Sequence, residues 1–249
     1  MQLQDYFNKH SKIAVAFSGG VDSSYLLYAA KAAGCDVHAY YANSQFQPQF
    51  ELDDAKRLAE MIGVPLTVKA LDVLNTSGIV AQNTSERCYY CKTAIMTQLS
   101  ALARNDGFEC ICDGSNADDD SSDRPGMRAT SELGIESPLR SCGLTKAEIR
   151  RLSKEAGLFT HDKPAYACLA TRIPNGTVIT QELISMIERA ENALFAMGFS
   201  DFRVRLTPPK TAKIQLPEAQ WGKAASLRSE IFDLLHNDFD SVTLDLDTR

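Results

Sequence analysis

Ser18-Gly19-Gly20-Val21-Asp22-Ser23-Ser24 follows the apolar run Ile13-Ala14-Val15-Ala16-Phe17 and leads into the helical pattern Tyr25-Leu26-Leu27-Tyr28-Ala29-Ala30. A buried strand, a glycine turn and a helix start in that order build an anion site from backbone alone. The unpaired amides of a first helical turn point outward, and the helix dipole adds partial positive charge there. Gly19 and Gly20 allow a tight turn and a close approach to a phosphate. Ser18, Ser23 and Ser24 add hydroxyl donors. A carboxylate such as Asp22 does not bind phosphate directly, so its presence implies Mg²⁺ between them. The lysine of G-x-x-x-x-G-K-[ST] is missing, which excludes that common nucleotide loop.

The loop resembles the Ser-Gly-Gly-x-Asp-Ser pyrophosphate loop of the ATP pyrophosphatases, which split ATP into AMP and pyrophosphate to adenylate a substrate. The resemblance implies an α/β domain that uses ATP and Mg²⁺.

Composition narrows the partners. Of 249 residues, 26 are Lys or Arg and 32 are Asp or Glu, a net charge of −6. An RNA backbone requires a basic stripe. The densest one, Lys146 to Lys154, reads as the solvated face of a helix, so no nucleic-acid partner is expected. No apolar stretch reaches spanning length and the N-terminal residues lack signal-peptide character, so the expectation is a cytoplasmic protein with no membrane partner. Seven cysteines, an odd number, read as thiols or metal ligands rather than a disulfide framework. A homo-oligomer is expected.

The first half alternates strand and helix, which predicts a doubly covered parallel sheet. Strands are expected near 13–17, 37–42, 65–70 and 109–112, and helices near 23–33, 50–62 and 91–104. Ligands in such sheets sit beyond the strand C-termini. The glycine loop, Asn43-Ser44-Gln45 and Asp113 through Asp119 should therefore converge, with Gly114 and Ser115 lining the nucleotide. Thr145 and Glu148 predict a capping box for a helix over 146–156. Character changes near Phe159–Pro164, dividing the chain into 1–163, the ATP domain, and 164–249, a small α+β module. That module should hold a helix over 181–197 and strands at 202–206 and 213–216. Arg203 and Arg205 alternate with apolar residues and so share one face, an arrangement suited to bidentate phosphate binding or to plain solvent exposure.

Cys88 and Cys91 in Glu86-Arg87-Cys88-Tyr89-Tyr90-Cys91-Lys92 stand at a helix start on neighbouring positions. The spacing fits a redox pair, half a zinc site or half an iron–sulfur site. Cys168 is a third candidate ligand. Cys35, Cys110, Cys112 and Cys142 read as small core or surface residues without a ligand role.

With these residues in hand, the chain resembles the LarE-type ATP-dependent sulfur transferases, which assemble the nickel-pincer nucleotide cofactor of lactate racemase-like enzymes. The resemblance rests on Ser18–Ser24, Glu86–Lys92, Asp113–Asp119, Arg124-Pro125-Gly126 with Arg128-Ala129, Ser137-Pro138-Leu139, Lys163–Pro174 around Cys168, and Arg203-Val204-Arg205. It implies adenylation of a carboxylate of a pyridinium dicarboxylate mononucleotide, followed by displacement of AMP by sulfur. Ser18, Gly19, Gly20, Asp22, Ser23 and Ser24 would hold the pyrophosphate. Arg203 and Arg205, with Glu191, would define the substrate-phosphate side. Some members carry only the cysteine matching Cys168 and sacrifice its sulfur. Others carry three, matching Cys88, Cys91 and Cys168, and hold a 4Fe–4S cluster. All three are present here, so the resemblance implies the cluster.

Overall fold

In the computed structural model, which describes residues 2–76, 78–119 and 125–248, the apolar run is strand β1, Lys12–Ala16. It pairs in parallel with β2, Asp36–Ser44, and on its other side with β4, Cys110–Cys112. Strand β3, Leu66–Leu71, extends the sheet beyond β2, giving the order β3-β2-β1-β4. The side-chain alternation of β1 explains why both faces are covered. Ile13 and Val15 pack into one apolar cluster with the helices Val21–Ala32, Gln49–Ile62 and Lys146–Glu155. Ala14 faces a second cluster built from Met96, Leu99 and Ala103 of the helix Arg87–Asn105. The expected doubly covered parallel sheet is the one observed.

Because the chain runs β1 to β2 to β3 on one side and returns to β4 on the other, the direction of winding reverses between β1 and β4. That switch point is where an open α/β sheet leaves a crevice for ligands beyond its strand ends.

The chain divides into two compact units, Met1–Val80 with Glu86–Lys163, and Ala81–Ser85 with Pro164–Arg249. The short piece Ala81–Ser85, which a division by consecutive sequence assigns to the first part, belongs to the second. Its bonds are the reason: Ala81 and Asn83 carbonyls accept from the Ile179 and Gly176 amides at 2.8 and 3.0 Å. The fully buried Asn83 side-chain amide donates to the Pro174 carbonyl at 2.8 Å.

In the second unit the helix Gln181–Ala196 buries Ile184, Ile187 and Leu194. Strand β5, Arg203–Thr207, runs antiparallel to β6, Thr211–Gln215, with Val204 opposite Ile214. The hairpin turn is therefore tighter than the sequence suggested, occupying residues 208–210. A strand absent from the sequence reading, β7 at Ser241–Leu244, lies parallel to β6. A parallel partner needs a crossover connection, and the helices Trp221–Ser226 and Arg228–Leu235 supply it.

Candidate active site

Gly20 is the N-cap of the helix Val21–Ala32 and, having no side chain, leaves the first-turn amides without a side-chain cap. An uncapped helix start is what an anion would complete. Gly19 has φ +74°, and a Cβ there would stand 3.2 Å from the Glu51 carbonyl oxygen. The turn thus needs glycine for conformation and for its approach to the neighbouring helix. Ser18, exposed at the lip, has its hydroxyl 3.1 Å from that of Ser23 and 3.4 Å from the Gly20 amide. Ser24 is buried and donates to the Gly20 carbonyl at 2.7 Å, so its hydroxyl braces the turn.

Asp22 carries the charge of the loop. One carboxylate oxygen pairs with Lys146 Nζ at 2.5 Å. The other, Oδ1, is buried and without a hydrogen-bond partner among the described residues. A buried carboxylate oxygen left unpaired is costly unless a cation or donor completes it, so the residues present fit a Mg²⁺ ion brought by a polyphosphate. Lys146 was read from sequence as part of a solvated helix face. Its ammonium is instead turned to the loop, because the helix Lys146–Glu155 packs on the loop's own helix. The N-cap Thr145 of that helix accepts from the Glu148 amide at 3.3 Å as predicted. The Glu148 carboxylate, however, pairs with Arg151 at 2.7 Å, so the reciprocal half of the box is replaced by an i,i+3 ion pair.

The segment after β4 reaches the same place. A Cβ on Gly114 would lie 2.8 Å from the backbone nitrogen of Ser23, so only glycine lets this segment rest on the loop's first helical turn. Ser115 donates through its hydroxyl to buried Asp113 at 2.9 Å, and Ser137 donates to the same carboxylate at 2.7 Å. Asp113 is the organising residue that sequence reasoning passed over. It fixes the segments bearing Gly114 and Ser137 against each other.

The helix Arg87–Asn105 starts one residue before Cys88, which is exposed, and carries the half-buried Cys91 one turn on. The Arg87 guanidinium donates to the Cys88 sulfur at 3.7 Å. Arg128 pairs with Glu86 at 2.5 Å and stacks over the Tyr89 ring at 4.2 Å, which fixes the turn that presents Cys88. Arg124 lies outside the described residues.

In the second unit the half-buried Cys168 precedes the 3-10 turn Leu169–Arg172. Its carbonyl accepts from the Thr171 amide at 3.0 Å. Arg172 and Glu191 form an ion pair at 2.8 Å with side chains 0% and 2% exposed. The Glu191 carboxylate also accepts from the Tyr166 hydroxyl and, at 2.9 Å, from the Val204 amide. Burial, reinforced by the charge of Glu191, pushes the Tyr166 phenol far above its ordinary range, so it remains a donor. Glu191 therefore faces its neighbours in the interior and acts on the site by holding the Cys168 segment to β5. Arg205 continues this network, donating to the Thr171 carbonyl at 3.0 Å and to Gln215 at 3.1 Å. Arg203, two residues earlier on the same half-buried face, stands opposite Gln215.

Glu191→Ala should destabilise the chain by about 3–5 kcal/mol, because it leaves the Arg172 charge buried without a partner. Urea unfolding measures this; a loss under about 1 kcal/mol would mean that water reaches Arg172 readily.

A glycine turn at the β1/β4 switch point, with a carboxylate oxygen beside it that has no partner among the described residues, is the arrangement expected of a PP-loop ATP pyrophosphatase. The chain matches the Queuosine biosynthesis protein QueC family over residues 12–175. It is 36% identical to the pyridinium-3,5-bisthiocarboxylic acid mononucleotide synthase of Lactiplantibacillus plantarum over 238 residues, covering 94% of this chain and 86% of that protein. An uncharacterized protein of Synechocystis sp. is 34% identical over 249 residues, 98% of this chain and 92% of its own. The tRNA-5-methyluridine(54) 2-sulfurtransferase of Pyrococcus horikoshii is 30% identical over 117 residues, 46% of this chain and 38% of its own. The chain belongs to the PP-loop ATP pyrophosphatase family, in its LarE-type branch. It is an ATP-dependent sulfur transferase.

Proposed function

We propose that the enzyme adenylates a carboxylate of a pyridinium dicarboxylate mononucleotide and converts it to a thiocarboxylate, as a step in assembling a nickel-pincer nucleotide cofactor. The observation that carries this reading is the likeness to the Lactiplantibacillus plantarum synthase along 94% of the chain. In the first step the substrate carboxylate attacks the α-phosphorus of ATP in line and pyrophosphate leaves, forming an acyl adenylate. Amides of the Val21–Ala32 helix start and the Ser18 hydroxyl receive the charge that builds on the leaving group. Asp22 would hold Mg²⁺, which supplies charge neutralisation on the polyphosphate. In the second step sulfur attacks the acyl carbon and AMP leaves.

Cys88, Cys91 and Cys168 offer three sulfurs, a donor set that suits three irons of a 4Fe–4S cluster. Such a cluster, when bound, supplies a replaceable sulfur at the iron that has no protein ligand. Incubation with ATP, sulfide and pyridinium-3,5-dicarboxylate mononucleotide without oxygen should give AMP and thiocarboxylate in equal amounts. AMP without thiocarboxylate, or an amide formed only with ammonia, overturns the reading.

Arg203 and Arg205 are proposed to bind the phosphate of the mononucleotide. Replacing both with Ala should raise the KM for that substrate by about 10- to 100-fold per lost contact, on the scale of about 1.5–3 kcal/mol for charge-assisted bonds. The KM for ATP should stay constant. An equal rise for ATP would place the pair at the nucleotide instead.

A further inference from the structure

Away from the nucleotide turn, at the beginning of β4, the structure gathers side chains that the reaction above leaves unused. His10 caps the C-terminus of the helix Leu3–Lys9, Cys110 and Cys112 share one face of β4, and Glu136 bridges to Cys112 along the outer side of that strand. One ligand atom each from His10, Cys110 and Glu136 lie within 4.8 Å of one another, all three residues half-buried. The Cys110 sulfur is 3.6 Å from a Glu136 oxygen and 3.8 Å from the Cys112 sulfur. We propose that His10, Cys110 and Glu136 form a binding site for a borderline-soft divalent cation of the zinc class.

Three arguments carry it. The first is distance. A thiolate and a carboxylate oxygen bound tetrahedrally to zinc at about 2.3 and 2.1 Å stand about 3.6 Å apart, which is the separation of the Cys110 sulfur and the Glu136 oxygen here. The second is donor chemistry. A sulfur, an imidazole and a carboxylate suit zinc, whereas magnesium and calcium take oxygen ligands.

The third is that the donors are held in place before any ion arrives. The Tyr6 hydroxyl donates to Glu136 at 2.7 Å and lies 3.3 Å from each sulfur. The Tyr6 ring stacks on the His10 imidazole with centroids 4.6 Å apart. One buried tyrosine thus orients the carboxylate and the imidazole together, the role that outer partners play at metal centres. Three half-buried ligands also leave a route in. From sequence, Cys110 and Cys112 read as small packing residues, because neither His10 nor Glu136 is near them in the chain.

The test uses the full-length reduced protein with Cys88, Cys91 and Cys168 all replaced by Ser, so that those thiols do not compete. Zn²⁺ titrated against a chromophoric chelator should bind one ion per chain. Co²⁺ should give a sulfur-to-metal charge-transfer band with tetrahedral d–d bands. Cys110→Ser and, separately, His10→Gln should weaken Zn²⁺ binding by about ten-fold or more, and Cys110→Ser should diminish the charge-transfer band. His10→Gln is the safeguard, since a half-buried cap residue can change without loss of the fold, which near-ultraviolet circular dichroism checks. Zinc binding below one ion per chain, or binding unchanged in His10→Gln and Cys110→Ser, overturns the proposal.

Discussion

Asp22→Ala abolishes AMP and pyrophosphate formation while leaving the chain folded. The two halves of this expectation come from different magnitudes. In the fold, Asp22 has one ion pair, to Lys146, and both side chains keep contact with water, at 20% and 34% exposure. Pairs of that kind contribute at most about 1 kcal/mol, and the freed ammonium can hydrate. In the proposed reaction the same carboxylate would anchor the cation that neutralises a leaving polyphosphate. Loss of such charge stabilisation costs about 100-fold or more in rate. Quenched-flow measurement of AMP alongside a thermal melt separates the two effects. Near-wild-type AMP yield from the variant would remove Asp22 from the chemistry.

The three cysteines divide two sulfur chemistries, and the expected result is all-or-none. Cys88→Ser, Cys91→Ser and Cys168→Ser should each lose bound iron and thiocarboxylate formation together. Anaerobically reconstituted wild-type protein should be brown, turn over repeatedly when sulfide is supplied, and show an unchanged intact mass afterwards. If Cys168 alone is essential, and loses the mass of its sulfur within a single turnover, the chain donates its own sulfur and Cys88 and Cys91 are bystanders. In either case adenylation should survive the serine substitutions. AMP formation is then the control that separates a lost sulfur step from a lost fold.

The parts legible in the sequence are those whose cause is local. Strand, glycine turn and helix around Ser18–Ser24 can be read off because a continuous apolar run, a glycine pair and an uncapped helix start each leave a local mark in the sequence. Arg203 and Arg205 fall on one face for the same reason. Pairings across long separations leave no such mark. Arg172 meets Glu191 across 19 residues, and Lys146 meets Asp22 across 124. Each of these charged residues looks like ordinary surface until the fold delivers its partner. The strand Ser241–Leu244 is short and mostly exposed, so its sequence shows no buried alternation to find. Thr145 and Glu148 show the converse, since a valid local motif was partly overridden when Arg151 offered Glu148 a charge.

The short piece Ala81–Ser85 changes what it means to shorten this chain. Ending it at residue 163 looks like removing a terminal module. It would also strip the Asn83 side chain of the Pro174 carbonyl, and the Ala81 and Asn83 carbonyls of the Ile179 and Gly176 amides. A buried asparagine with φ +54° would then lose these bonds, which support its conformation. The next residues in the chain are Glu86, Arg87 and Cys88. The C-terminal residues are therefore the mooring of the strand of peptide that leads to Cys88 and its helix, and a deletion made to simplify the enzyme would unfasten that start.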